Sequence, residues 1–337
     1  MITRRKISYP VAGPFADYLK HYERISDIPP IYEQLLGFTG GIPYEAPDGK
    51  ETLWLTVMYT PELMEELRPK LAKIYAILKS GGASGPAEHL IVDRIDFGEF
   101  GNSRPFRIRI TNRFNDNSDY FYVKRADASR LFGLELEHLL SPERINYLVR
   151  DHTLIEEHIA GLPGDMFINS YMKRPDLNRV RLAKEFVKFN ERCFIRLLGD
   201  MRSVNYVVDI TPDFEEVQFR VRPIDFDQQS YNGKSKVYLA YRFDSNRPVN
   251  QLVVECLNRR TISQYQKEER AQMGRRAVAE QRRLNMLLSV MRQTELAPQE
   301  NVVQLRSELA ELHKSKLFEQ AWTMGDLVAT NIQHFIY

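Results

Sequence analysis

The chain has 337 residues, of which 43% are hydrophobic and 27% are charged, and its formal net charge at pH 7 is +2. These values are typical of a globular protein whose length allows two or three packed units. The small net charge gives no overall basic field, so we expect no nucleic-acid partner. The longest apolar runs, at 90–92 and 206–208, are too short to cross a bilayer, and we expect no membrane segment.

The basic N-terminal residues lack the apolar core of a signal peptide. Only two cysteines occur, Cys193 and Cys256, with no CxxC pair. A disulfide framework and a zinc site are therefore not expected, and a reducing cytoplasm is the predicted location.

Residues 1–85 are predicted to form an N-terminal α/β extension that ends in a linker. The run TLWLTVMY at 52–59 has the composition of a strand. Pro61 then stands at the first turn of a predicted helix that continues to Ser80. The stretch SGGASGPAE at 80–88 is the clearest linker in the chain.

Residues 86–165 are predicted to form a small domain of strands with one helix. Three strand patterns at 89–97, 105–112 and 119–126 precede a helical segment, ASRLFGLELEHLL, at 128–140. Two further strand candidates follow at 144–151 and 153–161.

Residues 166–337 are predicted to be mainly helical, with Asp176 as the N-cap of a helix that runs to about residue 198. Near residue 270 a predicted helix carries basic and acidic side chains in nearly equal number, and we expect it to present a solvated face.

The most informative stretch is 197–227, LLGDMRSVNYVVDITPDFEEVQFRVRPIDFD. Asp200 follows a helix, Asn205 precedes a strand, and a turn and a return strand lead to Asp225. Such a hairpin would bring Asp225 back beside Asn205. Phosphoryl transfer uses a carboxylate for the acceptor hydroxyl and oxygen ligands for Mg²⁺, which this set supplies.

These motifs resemble the aminoglycoside phosphotransferase and choline kinase branch of the protein-kinase-like superfamily. LLGDMRSVNYVV resembles its H-G-D-x-x-x-x-N catalytic loop, and IDFD resembles its I-D-F-E/D metal motif. The resemblance implies that Asp200 is the catalytic base, that Asn205 and Asp225 bind metal, and that Asp227 contacts a second metal. It implies ATP and Mg²⁺ as cofactors.

The fold that the resemblance implies is α+β and bilobal. Its small lobe would be an antiparallel sheet with one helix (86–165), and its large lobe would be mainly helical (166–337). The recognisable motifs cover roughly residues 89–235, and neither the N-terminal extension (1–85) nor the last hundred residues match the family.

Further binding residues follow from the same resemblance. Lys124, at a strand end, would bind nucleotide phosphates, and its partner would be Glu135 or, almost as well, Glu137. The turn after the first strand would approach the phosphates through Gly98, Gly101 and Ser103, although plain hairpin geometry explains its glycines equally. Backbone groups of His158 and Ile159 would meet an adenine edge.

Departures from the kinase patterns also matter. Leu198 stands where the family commonly has His, so the loop must be braced in another way. Arg202, two residues after the predicted base, could steady the transferred phosphate.

There is no Ala-Pro-Glu after a long activation segment, which favours a small-molecule hydroxyl acceptor over a protein acceptor. The alternatives are a pseudokinase-type nucleotide-binding or interaction module, an atypical protein kinase and an AMP transferase.

Overall fold

The computed structural model describes residues 6–45, 49, 51–80, 87–99, 103–213 and 217–336. The chain divides into two compact units. The sheet unit comprises Met1–Asp127 and Ile145–His158, and the helical unit comprises Ala128–Arg144 and Ile159–Tyr337.

The sheet unit contains helices α1 (Pro14–His21), α2 (Tyr32–Leu35) and α3 (Pro61–Ser80), and strands β1 (Gly40–Glu45), β2 (Glu51–Met58), β3 (Leu90–Gly98), β4 (Phe106–Asn112), β5 (Ser118–Arg125), β6 (Tyr147–Arg150) and β7 (Thr153–Glu157). The helical unit contains α4 (Ala128–Leu140), α5 (Gly164–Asn169), α6 (Arg179–Arg196), α7 (Arg247–Cys256), α8 (Arg259–Ala279), α9 (Gln281–Gln293), α10 (Gln299–His313) and α11 (Met324–Ile336), with strands β8 (Leu162–Pro163), β9 (Tyr206–Pro212) and β10 (Val217–Pro223).

The sheet unit is built on a seven-stranded sheet in the order β1-β2-β3-β4-β5-β7-β6, with antiparallel neighbours. Phe106, Ile108 and Ile110 alternate along β4 and are fully buried, since successive side chains of a strand point to opposite faces. Helix α3 buries Leu67 and Leu71 in the same core. The predicted order of three strands, a helix and two strands is confirmed by β3, β4, β5, α4, β6 and β7.

The division of the chain differs from the predicted one in two respects. Strand β2, expected in a separate extension, pairs with β3 through Trp54–Gly98 and Leu55–Phe97, so residues 1–85 contribute to the same sheet. Pairing satisfies the backbone groups of a strand edge that would otherwise be open. Helix α4, expected with the strands, belongs to the helical unit. Every residue of α4 except His138 is buried, as expected of a helix that is covered on all sides.

Helix α6 organises the helical unit and leads into the predicted catalytic loop. Its N-cap is Asn178, whose side chain accepts a hydrogen bond from the backbone N–H of Arg181 at 3.1 Å, so the prediction of Asp176 as N-cap was wrong. Asp176 instead forms a two-bond ion pair with Arg174. Strand β9 lies between β8 and β10 in a three-stranded sheet.

Buried ion pairs connect the helices of this unit. Glu135 and Glu137 of α4 pair with Arg283 of α9 and Arg196 of α6, respectively. Glu269 of α8 is buried against Arg192 of α6. The charged segment near residue 270 is therefore not simply a solvated face, because some of its charges neutralise buried partners. Among the described residues, no helix is both long and apolar enough to span a membrane.

Gly325 marks a close approach between α11 and the end of α9. A Cβ atom at Gly325 would lie 2.4 Å from the backbone N of Arg292 and 2.4 Å from the backbone C of Met291. We expect Gly325→Ala to lower the free energy of unfolding by about 3 kcal/mol, because backbone atoms cannot rotate away from the added methyl group.

Urea denaturation would measure this loss, and Gly274→Ala in α8 is the matched control. Its Cβ would meet the movable side chain of Ile336 at 3.1 Å, and alanine gains about 1 kcal/mol over glycine within a helix. We expect Gly274→Ala to be neutral or stabilising. Equal losses in the two variants would contradict the close-approach argument.

Candidate functional site

The loop after α6 is held by its backbone. Leu197 closes the helix in the left-handed conformation (φ 53°). The N–H of Leu198 donates to Cys193 O at 2.9 Å, and Leu198 is fully buried and forms a β-bridge with Gln229. The N–H of Gly199 donates to Gln228 O at 3.2 Å. An apolar residue thus occupies the position of the family's histidine, and backbone pairing with 228–229 braces the loop.

Asp200 is fixed at the next position. Its φ is +59°, a region that aspartate tolerates better than most residues, and its N–H donates to Val237 O at 3.0 Å. The guanidinium of Arg202 donates to both carboxylate oxygens of Asp200, at 2.8 Å each. The structure therefore places the predicted base and the predicted phosphate-steadying residue in direct contact.

Asn205 ends the short 3-10 turn Ser203–Asn205 and faces back to Asp200. Its Nδ2 donates to the backbone O of Asp200 at 2.7 Å and approaches Asp200 Oδ2 at 3.4 Å. These contacts leave the carbonyl end of the Asn205 amide, Oδ1, as the atom that can bind a cation.

The predicted hairpin is present and returns the chain to Asn205. Tyr206 pairs with Pro223 at the open end of β9 and β10, and the N–H of Ile224 donates to Asn205 O at 3.0 Å. Asp225 follows at once, and its Oδ1 accepts the N–H of Asp227 at 3.0 Å. The hairpin therefore brings Asp225 next to Asn205 in the backbone.

Arg130 of α4 is a residue that the sequence analysis missed. Its guanidinium lies 3.1 Å from Asp227 Oδ1 and 3.4 Å from Asp225 Oδ1. Its signal in the sequence is an arginine within an apolar helix, because an arginine that is buried requires an acidic partner. Asp227, predicted as a second metal contact, is paired with this guanidinium.

The carboxylates influence one another. Burial raises the pKa of Asp200, the contact with Arg202 opposes this rise, and the negative charges of Asp225 and Asp227 add to it. The hydrogen bonds to Asp200 in turn raise the pKa of Arg202. Asp200 thus holds a proton to higher pH than an ordinary aspartate, as is useful for a general base.

We expect Arg202→Gln to raise the pKa of Asp200 further, because it removes a guanidinium that opposes the effects of burial and of the neighbouring carboxylates. The midpoint of the Asp200 carboxyl titration, followed by ¹³C NMR, should move to higher pH. Stability should change by less than about 1 kcal/mol, since Arg202 is exposed. Arg202→Lys should keep most of the wild-type behaviour, and a midpoint that moves to lower pH in Arg202→Gln would contradict the assignment.

Lys124 has a different partner from the predicted one. On β5 it forms an ion pair with Glu156 of β7, and both residues are buried. Lys124 is directly opposite Leu154, two residues from Glu156, so the pair is a diagonal contact on one face of the sheet. The predicted partner Glu135 binds Arg283, and its alternative Glu137 binds Arg196, so the glutamate that the structure gives Lys124 is Glu156.

The glycine turn and the predicted adenine contacts are only partly described. The N–H of Gly98 donates to Pro105 O at 2.8 Å, and Ser103 is half-buried in the turn, whereas Gly101 lies outside the described residues. His158 Nδ1 lies 3.3 Å from the hydroxyl of Tyr122, and burial lowers the pKa of His158. The boundary between the units falls between His158 and Ile159. The nucleotide-binding roles of these residues stay predictions.

The donor set fits one Mg²⁺ better than two. Among the described residues, no group of three or more His, Cys, Asp or Glu side chains is arranged to hold a metal ion. Mg²⁺ often takes one or two protein oxygens and keeps several waters. Asn205 Oδ1 and the partly exposed carboxylate of Asp225 meet that requirement, and the buried, paired carboxylate of Asp227 does not.

Comparisons with known proteins leave the family open. No family model and no curated protein matches the chain. Among solved structures, the Neurospora crassa PAN3 pseudokinase is similar at 10% sequence identity over 82% of this chain and 70% of that one, with a TM-score of 0.21. A likeness at this TM-score carries no argument about fold or function, so a functional assignment must rest on the residues around Asp200.

Proposed function

We propose that this chain is an ATP- and Mg²⁺-dependent phosphotransferase of kinase-like fold that acts on a hydroxyl group, on a small molecule in preference to a protein. The observation that carries the proposal is the arrangement around Asp200. The Asn205 side chain contacts Asp200, and the β9–β10 hairpin returns Asp225 to the start of β9, directly after Asn205.

In the proposed reaction, Asp200 accepts the proton of the acceptor hydroxyl. The acceptor oxygen forms a bond to the γ-phosphorus, the bond to the β,γ-bridging oxygen breaks, and ADP leaves. Arg202 must release one oxygen of Asp200 for this step. Its side chain is 53% exposed, so it can turn toward the transferred phosphate without breaking a packed contact.

Asn205 and Asp225 would hold Mg²⁺, which when bound neutralises charge on the β- and γ-phosphates. Lys124 would bind the phosphates as a point charge. The ion pair with Glu156 supports this role, because it holds the ammonium group in one place, as the family's helix glutamate would. Gly98, Ser103, His158 and Ile159 keep their proposed contacts with the nucleotide.

The segment after Asp227 favours a small acceptor. Short 3-10 turns at Ser235–Tyr238, Ala240–Arg242 and Asp244–Asn246 connect it to α7. Asn246 is fully buried, donates to Met201 O and Ala240 O, and accepts from the hydroxyl of Tyr206. A segment tied to the loop in this way is unlike a long activation segment that rearranges to receive a peptide.

A pseudokinase-type nucleotide-binding module is the second candidate. The contact of Arg130 with Asp225 favours it, because a guanidinium beside a metal ligand competes with Mg²⁺. An atypical protein kinase or an AMP transferase would use the same residues.

Thermal denaturation with ATP and Mg²⁺, followed by measurement of ADP release over a panel of hydroxyl compounds, tests the proposal. We expect a rise in Tm and acceptor-dependent ADP release, with label transferred from γ-labelled ATP. A rise in Tm without turnover would favour the pseudokinase module, and transfer from α-labelled ATP would indicate AMP transfer. The absence of any nucleotide effect would overturn the proposal.

A further inference from the structure

The guanidinium of Arg130 occupies the acidic turn formed by Asp225 and Asp227. Arg130 is at the third position of α4, and its side chain is only 4% exposed. A buried guanidinium needs carboxylate partners to offset its lost hydration. Arg130 finds them in this turn, with its two terminal nitrogens directed to different aspartates.

The two aspartates differ in their availability. The Asp227 side chain is 12% exposed, and its Oδ1 accepts a hydrogen bond from Arg130 at 3.1 Å. The Asp225 side chain is 38% exposed, and its Oδ1 is 3.4 Å from Arg130, farther than a good N–H···O bond. The inner carboxylate is therefore committed to Arg130, whereas the outer one can turn to another cation.

We propose that Arg130 is a built-in cation that takes the place of a second divalent ion at this turn. The site then holds one metal ion, at Asn205 and Asp225, and Asp227 anchors Arg130 without binding metal. This inference rests on the proposed function, since it specifies how many metal ions that site takes. Arg130 is thus a positioning residue, which acts through the two aspartates.

Charge explains why a second ion is excluded. The two carboxylates carry −2 and the guanidinium +1, so the turn keeps a single negative charge for one cation. A dication at Asp227 would lie within a few ångströms of the fixed guanidinium, whose hydrogen bond it would have to break. Removal of the guanidinium would take a positive charge from beside the two carboxylates, which strengthens their attraction for divalent ions.

Mn²⁺ binding to the full chain, counted by electron paramagnetic resonance without nucleotide, tests the inference apart from activity. We expect one tight Mn²⁺ in the wild type, two in Arg130→Gln and one in Arg130→Lys, which restores the charge. Asp227→Asn should still bind one, about tenfold more weakly, because Arg130 then turns wholly to Asp225.

Arg283→Gln is the matched control, because it also removes the arginine partner of a buried acidic residue, Glu135 of α4. It should leave the count at one. Circular dichroism establishes that each variant is folded. If Arg130→Gln does not fold, the Mn²⁺ counts of the wild type and of Asp227→Asn test the inference.

Two Mn²⁺ ions in the wild type would overturn the inference. A lower Mn²⁺ count in Asp227→Asn than in the wild type would overturn it as well, and so would an unchanged count and affinity in Arg130→Gln. No Mn²⁺ in the wild type would overturn the one-ion site and contradict the Mg²⁺-dependent function, even if Arg130→Gln then binds Mn²⁺. One Mn²⁺ in the wild type and two in Arg130→Gln, without ATP turnover, would support the inference while the proposed function fails.

Discussion

Asp200→Asn is expected to lower the rate of acceptor-dependent ADP formation by about 10²–10⁴-fold, because asparagine cannot take the acceptor proton. Asparagine keeps the shape of the side chain and can still accept one of the two hydrogen bonds from Arg202. The free energy of unfolding should therefore change by less than about 1 kcal/mol, the usual effect of a partly exposed pair. Steady-state ADP release at saturating ATP measures the first effect, and urea denaturation measures the second.

Asp225→Asn is expected to reduce the rate as strongly through a different effect. It removes the carboxylate of the proposed Mg²⁺ site, so raised Mg²⁺ should restore part of the lost rate, whereas it should restore none in Asp200→Asn. This difference separates a metal ligand from a general base.

Asp244→Asn is the matched control for both variants. Asp244 also forms an ion pair with an arginine, Arg247, at 3.0 Å, but its side chain is 94% exposed and it lies outside the Asp200 loop and the Asp225 turn. Its rate should stay within twofold of the wild type. If Asp200→Asn retains more than a tenth of the wild-type rate, Asp200 is not the base, and the proposed mechanism fails.

The parts of the site that the sequence predicted are local. Asp200, Asn205 and Asp225 lie on a helix end, a turn and a hairpin that follow one another without interruption. Consecutive antiparallel strands usually pair, so the return of Asp225 to Asn205 needed no knowledge of the rest of the chain. Turn residues and the alternation of apolar side chains were sufficient.

Partners from distant segments were not predictable in this way. The choice between Glu135 and Glu137 for Lys124 depended on which side of α4 faces the core, but the helix is buried nearly all round and both glutamates bind arginines. Glu156 became the partner of Lys124 through the register of β5 and β7, which is a tertiary property.

The placement of residues 1–85 was likewise not predictable from local sequence. The pairing of β2 with β3 joins segments on either side of the glycine-rich linker. A linker composition shows that the chain can turn there, not that the flanking segments belong to different units.

The largest stability effect is expected at Arg196, the last residue of α6. Its guanidinium pairs with Glu137 of α4 and donates from Nε to Arg192 O at 3.0 Å, and both charged side chains are buried. Arg196→Met should lower the free energy of unfolding by about 3–5 kcal/mol, because Glu137 is then left as an uncompensated buried charge. Arg179→Gln, which breaks an exposed pair with Glu255, should cost less than about 1 kcal/mol.

The double variant Arg196→Met/Glu137→Leu tests that explanation. If the loss comes from the unpaired carboxylate, replacement of Glu137 by an apolar side chain should restore most of the stability, since apolar replacement of a whole buried pair is often neutral. Urea denaturation of the wild type, both single variants and the double variant completes the cycle. A double variant as unstable as the sum of the single ones would show instead that Arg196 acts through packing. The loop itself should survive in the stable double variant, because Gln229 Nε2 donates to the backbone oxygen of residue 196 at 2.6 Å, a contact that a side-chain change at residue 196 does not remove.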